Sequence, residues 1–452
     1  MASNAPETIM NSPASSPRIA VIGTGYVGLT TGVCLAHLGH DVVCCDIDRR
    51  KVDLLRDGKS PIDEAGLEEL MADAVASGNL EFALGNDPAV RTSQIIFLCL
   101  PTPQGDDGSA DLTYVTSAAR EIGPLLPSGA VVVNKSTVPV GSHKVVKAAL
   151  GRDDVEVVSN PEFLREGSAV HDFLNPDRVV VGADDPVARE QVSALYASLD
   201  TELIATDAAS AEAIKYASNG FLAMKISFIN SVAALCESVG ADIEAVAKGI
   251  GTDDRIGPKF LKPGPGWGGS CFPKDSRALV SIALDHGYDF SLMRYVIEVN
   301  EQQHQRMVHK ITAAVGRHDG DRLDGITVAA LGLTFKAGTD DLRDSPALRI
   351  LRKAQQRGAA IRAYDPTVQG ELDPYRAGRV QNFELAPTAL DAIEGADVVV
   401  VLTEWPEFST LDMAKVNEAL AGDTIVDCRN MLDPVAVRAA GLHYSGIGRP
   451  NP

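Results

Sequence analysis

Residues 18–48 read RIAVIGTGYVGLTTGVCLAHLGHDVVCCDID, and their order decides the fold. An apolar run from Ile19 to Ile22 has the length of a buried strand. Gly23, Gly25 and Gly28 follow in the spacing GxGxxG. A helical stretch then ends near Gly39, and a second apolar run closes on Asp46. A lone GxGxxG is a weak signal. Set between a strand and a helix, with an acid about twenty residues further on, it marks a dinucleotide-binding βαβ unit. The Asp46 carboxylate would accept hydrogen bonds from an adenosine ribose and repel a 2′-phosphate, so the expected cofactor is NAD rather than NADP. Arg49 and Arg50 pull weakly the other way.

Further strand-like runs follow in QIIFLCLPTP, AVVVNKSTVPVG and VEVVSNPEFLREG. Each ends in Pro, Thr, Ser or Glu at what should be the carboxyl edge of a parallel sheet, where ligands bind in open α/β folds. From Ser210 the pattern becomes helical, with no internal proline. With Ser210 as N-cap and an end about Ser238, this helix spans roughly 40 Å. It is apolar on several faces and is expected to join two domains and contribute to a dimer interface. After the polar linker GRHDGDRLDG, strand signals return in ITVAALGLTF, AAIRAYDP, ADVVVVLT and DTIVDC. They describe a second parallel α/β unit whose first turn lacks GxGxxG, so no second dinucleotide is assigned to it. The expected fold is α/β, two Rossmann-like parallel-sheet domains joined by a long central helix. The expected division is a disordered tail over 1–17, an NAD-binding domain over 18–209, a central helical region with a cysteine loop over 210–318, and a C-terminal α/β domain over 319–452.

The chain has 452 residues and a formal charge of −20. That balance disfavours nucleic acid or an anionic membrane surface as the main partner, though not a small anion in a local basic pocket. No apolar run reads as long enough to span a membrane, and the Ser/Pro/Ala-rich start has no signal-peptide core. The seven cysteines are odd in number and show no zinc-ligand spacing, so no metal is expected. Reduced thiols point to the cytoplasm.

Three polar pairs stand four residues apart: Glu162 with Glu166, Lys215 with Asn219, and Cys271 with Asp275. On helical backbone each pair shares a face. Any one alone reads as solvated surface, but Lys215 lies in an otherwise apolar helix. Cys271 follows the glycines of PGPGWGGSCFPKD near the start of a helix, where the thiolate is favoured, as it is by a nearby lysine. A nicotinamide cofactor beside a reactive cysteine suits aldehyde oxidation. A thiolate adds to the aldehyde, the adduct gives up a hydride to become a thioester, and water releases an acid. Lysine and asparagine suit stabilisation of the oxygen, and a carboxylate suits proton transfer.

With GTGYVGL, PIDEAGLEEL, CLPTP, KSTVPVG, NPEFLREG, KYASNGFLAMKISFIN, DDRIG, FLKPGPGWGGSCFPKD and GLTFKAGTDDLRDSP in register, the chain resembles the nucleotide-sugar 6-dehydrogenase family from about Arg18 to Pro434. GGSCFPKD and DDRIG resemble its UDP-glucose branch. The resemblance implies NAD-dependent, four-electron oxidation of UDP-glucose to UDP-glucuronate by a homodimer. GDP-mannose or another nucleotide sugar is the alternative substrate, and a non-catalytic dinucleotide-sensing protein the alternative of another class.

By the same resemblance, Cys271 is the nucleophile, and Lys215 and Asn219 stabilise the oxygen at C6. Asp275 and Thr137 hold a water, and Glu162 acts in thioester hydrolysis. Phe163, Leu164, Arg165 and Glu166 border the substrate. Lys262 and Lys336 meet the diphosphate, with Gly268, Phe335 and Arg429 also against the nucleotide sugar, and Arg255 reaches a neighbouring subunit's sugar. Gly23, Gly25, Tyr26, Val27, Gly28, Asp46, Thr102, Thr137, Glu166, Lys274 and Arg343 border NAD. Two residues depart from the family pattern: Trp267 stands where Phe or Tyr is usual, and Cys428 where Gly is common. Neither change removes a catalytic group.

Overall fold

The computed structural model describes residues 17–105, 108–318, 320–368, 370 and 383–450. The stretch read as a tail lies outside these residues apart from Pro17. The chain divides into two compact units, Met1–Thr102 with Asp111–Ala213, and Pro103–Ala110 with Ile214–Pro452.

The first unit is built on eight strands: β1 (Ile19–Ile22), β2 (Val42–Asp46), β3 (Leu80–Leu84), β4 (Ile95–Leu98), β5 (Val131–Asn134), β6 (Glu156–Ser159), β7 (Val179–Gly182) and β8 (Leu203–Thr206). Their order is β3-β2-β1-β4-β5-β6-β7-β8. Neighbours are parallel except for one antiparallel pairing, Ser159 opposite Gly182, between β6 and β7. β1, β4 and β5 are buried along their whole length, which is why they read as near-continuous apolar runs rather than as alternation. Val21, Phe97 and Val133 pack into the core on one face of the sheet, and Ile22, Ile96 and Val132 into the core on the other. Strand order reverses between β1 and β4, and the crevice beyond their carboxyl ends is where such sheets bind ligands.

The long helix runs Ala208–Val239. Its start lies upstream of Ser210. The Asp207 carboxylate accepts from the Ser210 amide at 2.8 Å and the Ser210 hydroxyl at 2.7 Å, so Asp207 caps the helix and Ser210 is a donor within its first turn. By length and apolar composition this helix could also cross a membrane, contrary to the sequence expectation. Its Ser227 and Asn230 are buried against protein groups instead.

The second unit carries the rest of that helix, the helices Ile243–Gly251, Phe272–Asp285 and Ser291–Ala314, and a six-stranded sheet. Its strands are β9 (Thr327–Leu331), β10 (Ala360–Tyr364), β11 (Phe383–Leu385), β12 (Val398–Val401), β13 (Thr424–Asp427) and β14 (His443–Gly446). The order β11-β10-β9-β12-β13-β14 repeats that of the first six strands of the other sheet. Ile229 and Ala233 of the long helix and Met307 and Ile311 of the helix Ser291–Ala314 share one core with Val328, Leu351 and Val400.

Candidate active site

In the first unit the site begins at the glycine turn. Gly23 has φ +94°, a conformation that side chains rarely adopt. A Cβ on Gly28 would fall 1.9 Å from the Gly23 carbonyl oxygen, so helix and strand can approach only without one. A Cβ on Gly25 would meet nothing within 4 Å, which leaves open space at the N-terminus of the helix Tyr26–His37. Asp46 ends β2 and accepts from the Thr24 amide at 2.9 Å, the Thr24 hydroxyl at 2.8 Å and the Asp48 amide at 2.9 Å. Burial alone would raise its carboxyl, but these hydrogen bonds and Lys51 outweigh it and hold the group below the ordinary carboxylate range. Glycine turn, helix N-terminus and ionised acid together fit a dinucleotide with an unphosphorylated ribose.

The loops at the same sheet edge are laced together. The Thr102 hydroxyl donates to the Thr137 carbonyl at 2.9 Å, and Ser136 Oγ accepts from the Leu100 amide at 2.8 Å. Val27 is half-buried in the first helical turn. Tyr26 donates its hydroxyl to Glu64, whose carboxylate also accepts from the amides of Gly167 at 2.8 Å and Ala169 at 2.7 Å. Burial, with Glu64 alongside, pushes the Tyr26 phenol well above its ordinary value, so it stays a donor.

Residues 160–165 are irregular, so the helical face expected for Glu162 and Glu166 is not formed. Pro161 disfavours helical backbone at Asn160. Glu162, buried, instead accepts from the Leu164 amide at 2.7 Å. Arg165 is tied to Asp172 at 2.5 Å, and the Arg178 guanidinium stacks 3.6 Å from the Phe163 ring centroid. Sequence reasoning missed three buried polar residues behind these loops. Lys135 donates to Asn160 at 3.0 Å, and Glu212 accepts from the amides of Gly141 at 2.6 Å and His143 at 2.9 Å. Lys135 and Asn160 had a signal, their places in KSTVPVG and NPEFLREG; Glu212 had none.

In the second unit Cys271 is the N-cap of the helix Phe272–Asp285, half-buried, with Ser270 Oγ 3.6 Å from its sulfur. The Asp275 amide donates to the Cys271 carbonyl at 2.8 Å, which fixes the two residues one turn apart. Asp275 is fully buried; it accepts from Asn219 Nδ2 at 2.6 Å and from Lys274 Nζ at 2.6 Å. Lys215 is buried one helical turn before Asn219. Gly220 admits the neighbouring helices: a Cβ there would meet Leu279 at 3.1 Å and Met293 at 3.2 Å. The structure therefore brings Asn219, Lys274 and Asp275 into direct contact within one turn of the thiol. The other thiols are buried. Burial pushes Cys34, Cys45, Cys99 and Cys428 up to about 12 and Cys44 well above its ordinary value. Among the described residues no cluster of His, Cys, Asp and Glu could hold a metal ion.

At the edge of the second sheet, Arg429 follows β13. Its guanidinium donates to the Leu402 carbonyl at 2.8 Å and the Phe335 carbonyl at 3.0 Å, and lies 3.0 Å from Glu404. Lys336 Nζ lies 5.5 Å from the Phe335 ring centroid. Gly268 backs onto the Asp344 carbonyl. Arg343 and Arg255 are paired with Asp341 at 2.8 Å and Asp253 at 2.6 Å, and Lys262 is exposed. The second unit's own acid after its second strand, Asp365, was not singled out from the sequence. Its two oxygens take six protein donors, from Leu333, Thr334, Thr367 and Trp405.

Residues 17–200, 209–302 and 329–434 match, respectively, the NAD binding domain, the central domain and the UDP binding domain of the UDP-glucose/GDP-mannose dehydrogenase family. The chain is 46% identical over 438 residues to UDP-glucose 6-dehydrogenase TuaD of Bacillus subtilis (strain 168), covering 96% of this chain and 93% of that one. It is 46% identical over 444 residues to the UDP-glucose 6-dehydrogenase of Rhizobium meliloti (strain 1021), covering 96% and 100%. Among solved structures it is similar to a UDP-glucose dehydrogenase from Pyrobaculum islandicum, with TM-score 0.87, 36% identity and coverage of 97% and 100%. A GDP-mannose dehydrogenase of Pseudomonas aeruginosa matches with TM-score 0.51, 30% identity and coverage of 95% and 99%.

Proposed function

The chain belongs to the UDP-glucose/GDP-mannose dehydrogenase family, and we propose that it oxidises UDP-glucose to UDP-glucuronate with two molecules of NAD. The observation that carries this reading is the cluster of Asn219, Lys274 and fully buried Asp275 one turn from the half-buried Cys271. The likeness to UDP-glucose dehydrogenases favours UDP-glucose over GDP-mannose.

Gly23, Gly25, Gly28 and Asp46 hold the cofactor, with Tyr26, Val27, Thr102, Thr137, Glu166, Lys274 and Arg343 around it. NAD, when bound, accepts one hydride at each of the two oxidations. The chain's own groups do the rest. In the first step Asp275, with a water shared with Thr137, takes the proton of the C6 hydroxyl, and Lys215 and Asn219 stabilise the charge on its oxygen. The Cys271 thiolate then adds to the aldehyde carbon, and the carbonyl electron pair becomes the oxyanion of a thiohemiacetal. Loss of the second hydride leaves a thioester on sulfur. Glu162 takes a proton from the attacking water, the carbon–sulfur bond breaks, and the thiolate and the carboxylate product are released. Phe163, Leu164, Arg165, Lys262, Gly268, Phe335, Lys336 and Arg429 border the nucleotide sugar, and Lys262, Lys336 and Arg429 supply local positive charge in an otherwise acidic chain.

The working unit is a homodimer. Phe221, Phe228, Leu235 and Val239 are 58%, 57%, 60% and 65% exposed at helical spacing along the long helix, a stripe that a second copy would cover. Arg255 of each copy reaches the other copy's sugar. Seven free thiols support a reducing, cytoplasmic setting.

The test is product analysis with UDP-glucose and NAD. The expected yield is two NADH per UDP-glucuronate, and Cys271→Ala should lose acid formation by several orders of magnitude, as for a lost covalent nucleophile. Turnover of GDP-mannose in preference to UDP-glucose would replace the substrate, and tight NAD binding without turnover would make the protein a sensor.

A further inference from the structure

The segment carrying Cys271 has no regular secondary structure from residue 262 to 268, yet residues 263–269 are buried. Buried backbone outside a helix or strand must still find hydrogen-bond partners. Here they come from two helices. From the long helix, Asn230 Oδ1 accepts from the Gly264 amide at 2.9 Å, and Ser227 Oγ accepts from the Trp267 indole at 2.9 Å. From the helix Ser291–Ala314, Gln303 Nε2 donates to the Gly264 carbonyl at 2.8 Å. Asn300 does more. Its Oδ1 accepts from the Trp267 amide at 2.8 Å, and its Nδ2 donates to the Trp267 carbonyl at 3.0 Å. One carboxamide thus pairs both backbone groups of a single residue, as a neighbouring strand would.

The fit leaves no slack. Gly266 has φ +125°, and a Cβ there would fall 2.8 Å from Asn300 Oδ1 and 2.7 Å from His304 Nε2. Asn300, Gln303, Ser227 and Asn230 are all at least nine-tenths buried. The amides and the hydroxyl among them do not titrate. Trp267 lies four residues before Cys271 and packs with Ala223, Met293 and Val296. The indole bond to Ser227 is available to this chain because Trp stands at position 267; a Phe there would lack it.

We propose that Asn300 is a positioning residue for the thiol: by pairing both backbone groups of Trp267, it fixes the path of the chain into Cys271. The proposal rests on the reading of Cys271 as nucleophile. Misplacing a reacting atom by 1 Å costs on the order of 100-fold in rate. Asn300→Ala should therefore lower kcat by about that factor while KM for NAD, which rests mainly on the glycine turn and Asp46 of the first unit, changes by no more than about fivefold. In a Trp405→Phe background, which leaves Trp267 as the sole tryptophan, emission from Asn300→Ala should shift to the red, and its Cys271 should alkylate at a changed rate with iodoacetamide. Trp267→Phe keeps both backbone bonds and should retain most of kcat.

Hydrogen–deuterium exchange on the unaltered protein decides the matter even where Asn300→Ala does not fold. Segment 262–270 should exchange as slowly as the long helix, and exchange as fast as in an exposed loop would overturn the proposal. So would Asn300→Ala with unchanged kcat, emission and alkylation rate. Exchange, emission and alkylation need no sugar nucleotide, so a wrong substrate assignment leaves them readable.

Discussion

The two parallel sheets share a strand order and part ways immediately after their first strands. In the first unit, three residues separate β1 from its helix, and they are Gly23, Thr24 and Gly25. In the second, fourteen residues separate β9 from the helix Pro346–Gln356, and they include Phe335, Lys336 and Arg343. Each unit then places an aspartate at the end of its second strand, Asp46 and Asp365. Asp46 takes three protein donors and is 8% exposed; Asp365 takes six and is 1% exposed. The first keeps acceptor capacity to spare, as the proposed ribose contact requires. The second spends its lone pairs on its own loop and holds the long turn in shape. One topology therefore yields two kinds of site. A short glycine turn aims a helix N-terminus at a pyrophosphate, and a long braced turn presents side chains.

The largest break in this comparison should come from Gly28→Ala. The added Cβ overlaps the Gly23 carbonyl, and KM for NAD should rise by about 100-fold or more, the scale of a misplaced binding element. Calorimetry should find UDP binding in the second unit unchanged; equal loss of both ligands would mean that the units do not bind separately.

An effect of similar size but a different kind is expected from Asp365→Ala. Leaving buried amides of Leu333 and Thr334 and the Trp405 indole unpaired should cost on the order of 3 kcal/mol of stability. Denaturant titration should find that loss with the NAD-to-NADP preference untouched. A shifted preference would make Asp365 a cofactor residue.

Asp46→Ala should do the converse, reducing the NAD-to-NADP efficiency ratio by about tenfold with a modest stability change. Because the folded state depresses the Asp46 carboxyl, the group is ionised throughout neutral and mildly acidic solution. The ratio should be flat from about pH 7 to 9 and decline in acid, first as the 2′-phosphate of NADP gains a proton near its second pKa of about 6 and then as pH falls through the lowered folded value of Asp46, the same direction in which its contribution to stability is lost. A ratio that titrates between about pH 7.5 and 9 would assign the discrimination to another group.

The smallest expected effect is a null one. With burial raising Cys34, Cys44, Cys45, Cys99 and Cys428, native protein should take up one iodoacetamide per chain at about pH 8, at Cys271, and more only after unfolding. Rapid labelling of Cys44 or Cys99 would show that the first sheet opens in the native state.

How much of this was legible in the sequence follows the same divide. The first turn could be read because glycine spacing and a strand-ending acid are local and chemically unambiguous. The second could not: Asp365 in AYDPT looks like any turn aspartate until the loop from Leu333 folds onto it. The start of the long helix was displaced because Asp207 and Ser210 are both good caps and only geometry shows which accepts. Glu162 and Glu166 kept their places in the motif but not a helical face, because residues 160–165 run through irregular backbone. Ser227, Asn230, Asn300 and Gln303 were illegible for a more general reason. A polar residue inside a helical pattern is most often on the wet face, and nothing local distinguishes one that turns inward to hold a loop.

Gly220 has a consequence in chemical ageing. Packing against Leu279 and Met293 is tight enough that a side chain at 220 would press on both, and the glycine there makes the site amide, Asn219, the first half of an Asn-Gly pair. That dipeptide is the one most prone to lose ammonia through cyclisation onto the following amide nitrogen, and asparagine is among the thermolabile residues. Inside the long helix the Gly220 nitrogen is held away from that attack. The helix thus preserves the identity of Asn219 as well as its position, and protein stored under conditions that fray or unfold the helix should accumulate isoaspartate and aspartate at 219 and not regain activity on refolding. Peptide mapping of aged and freshly prepared samples would read the conversion directly.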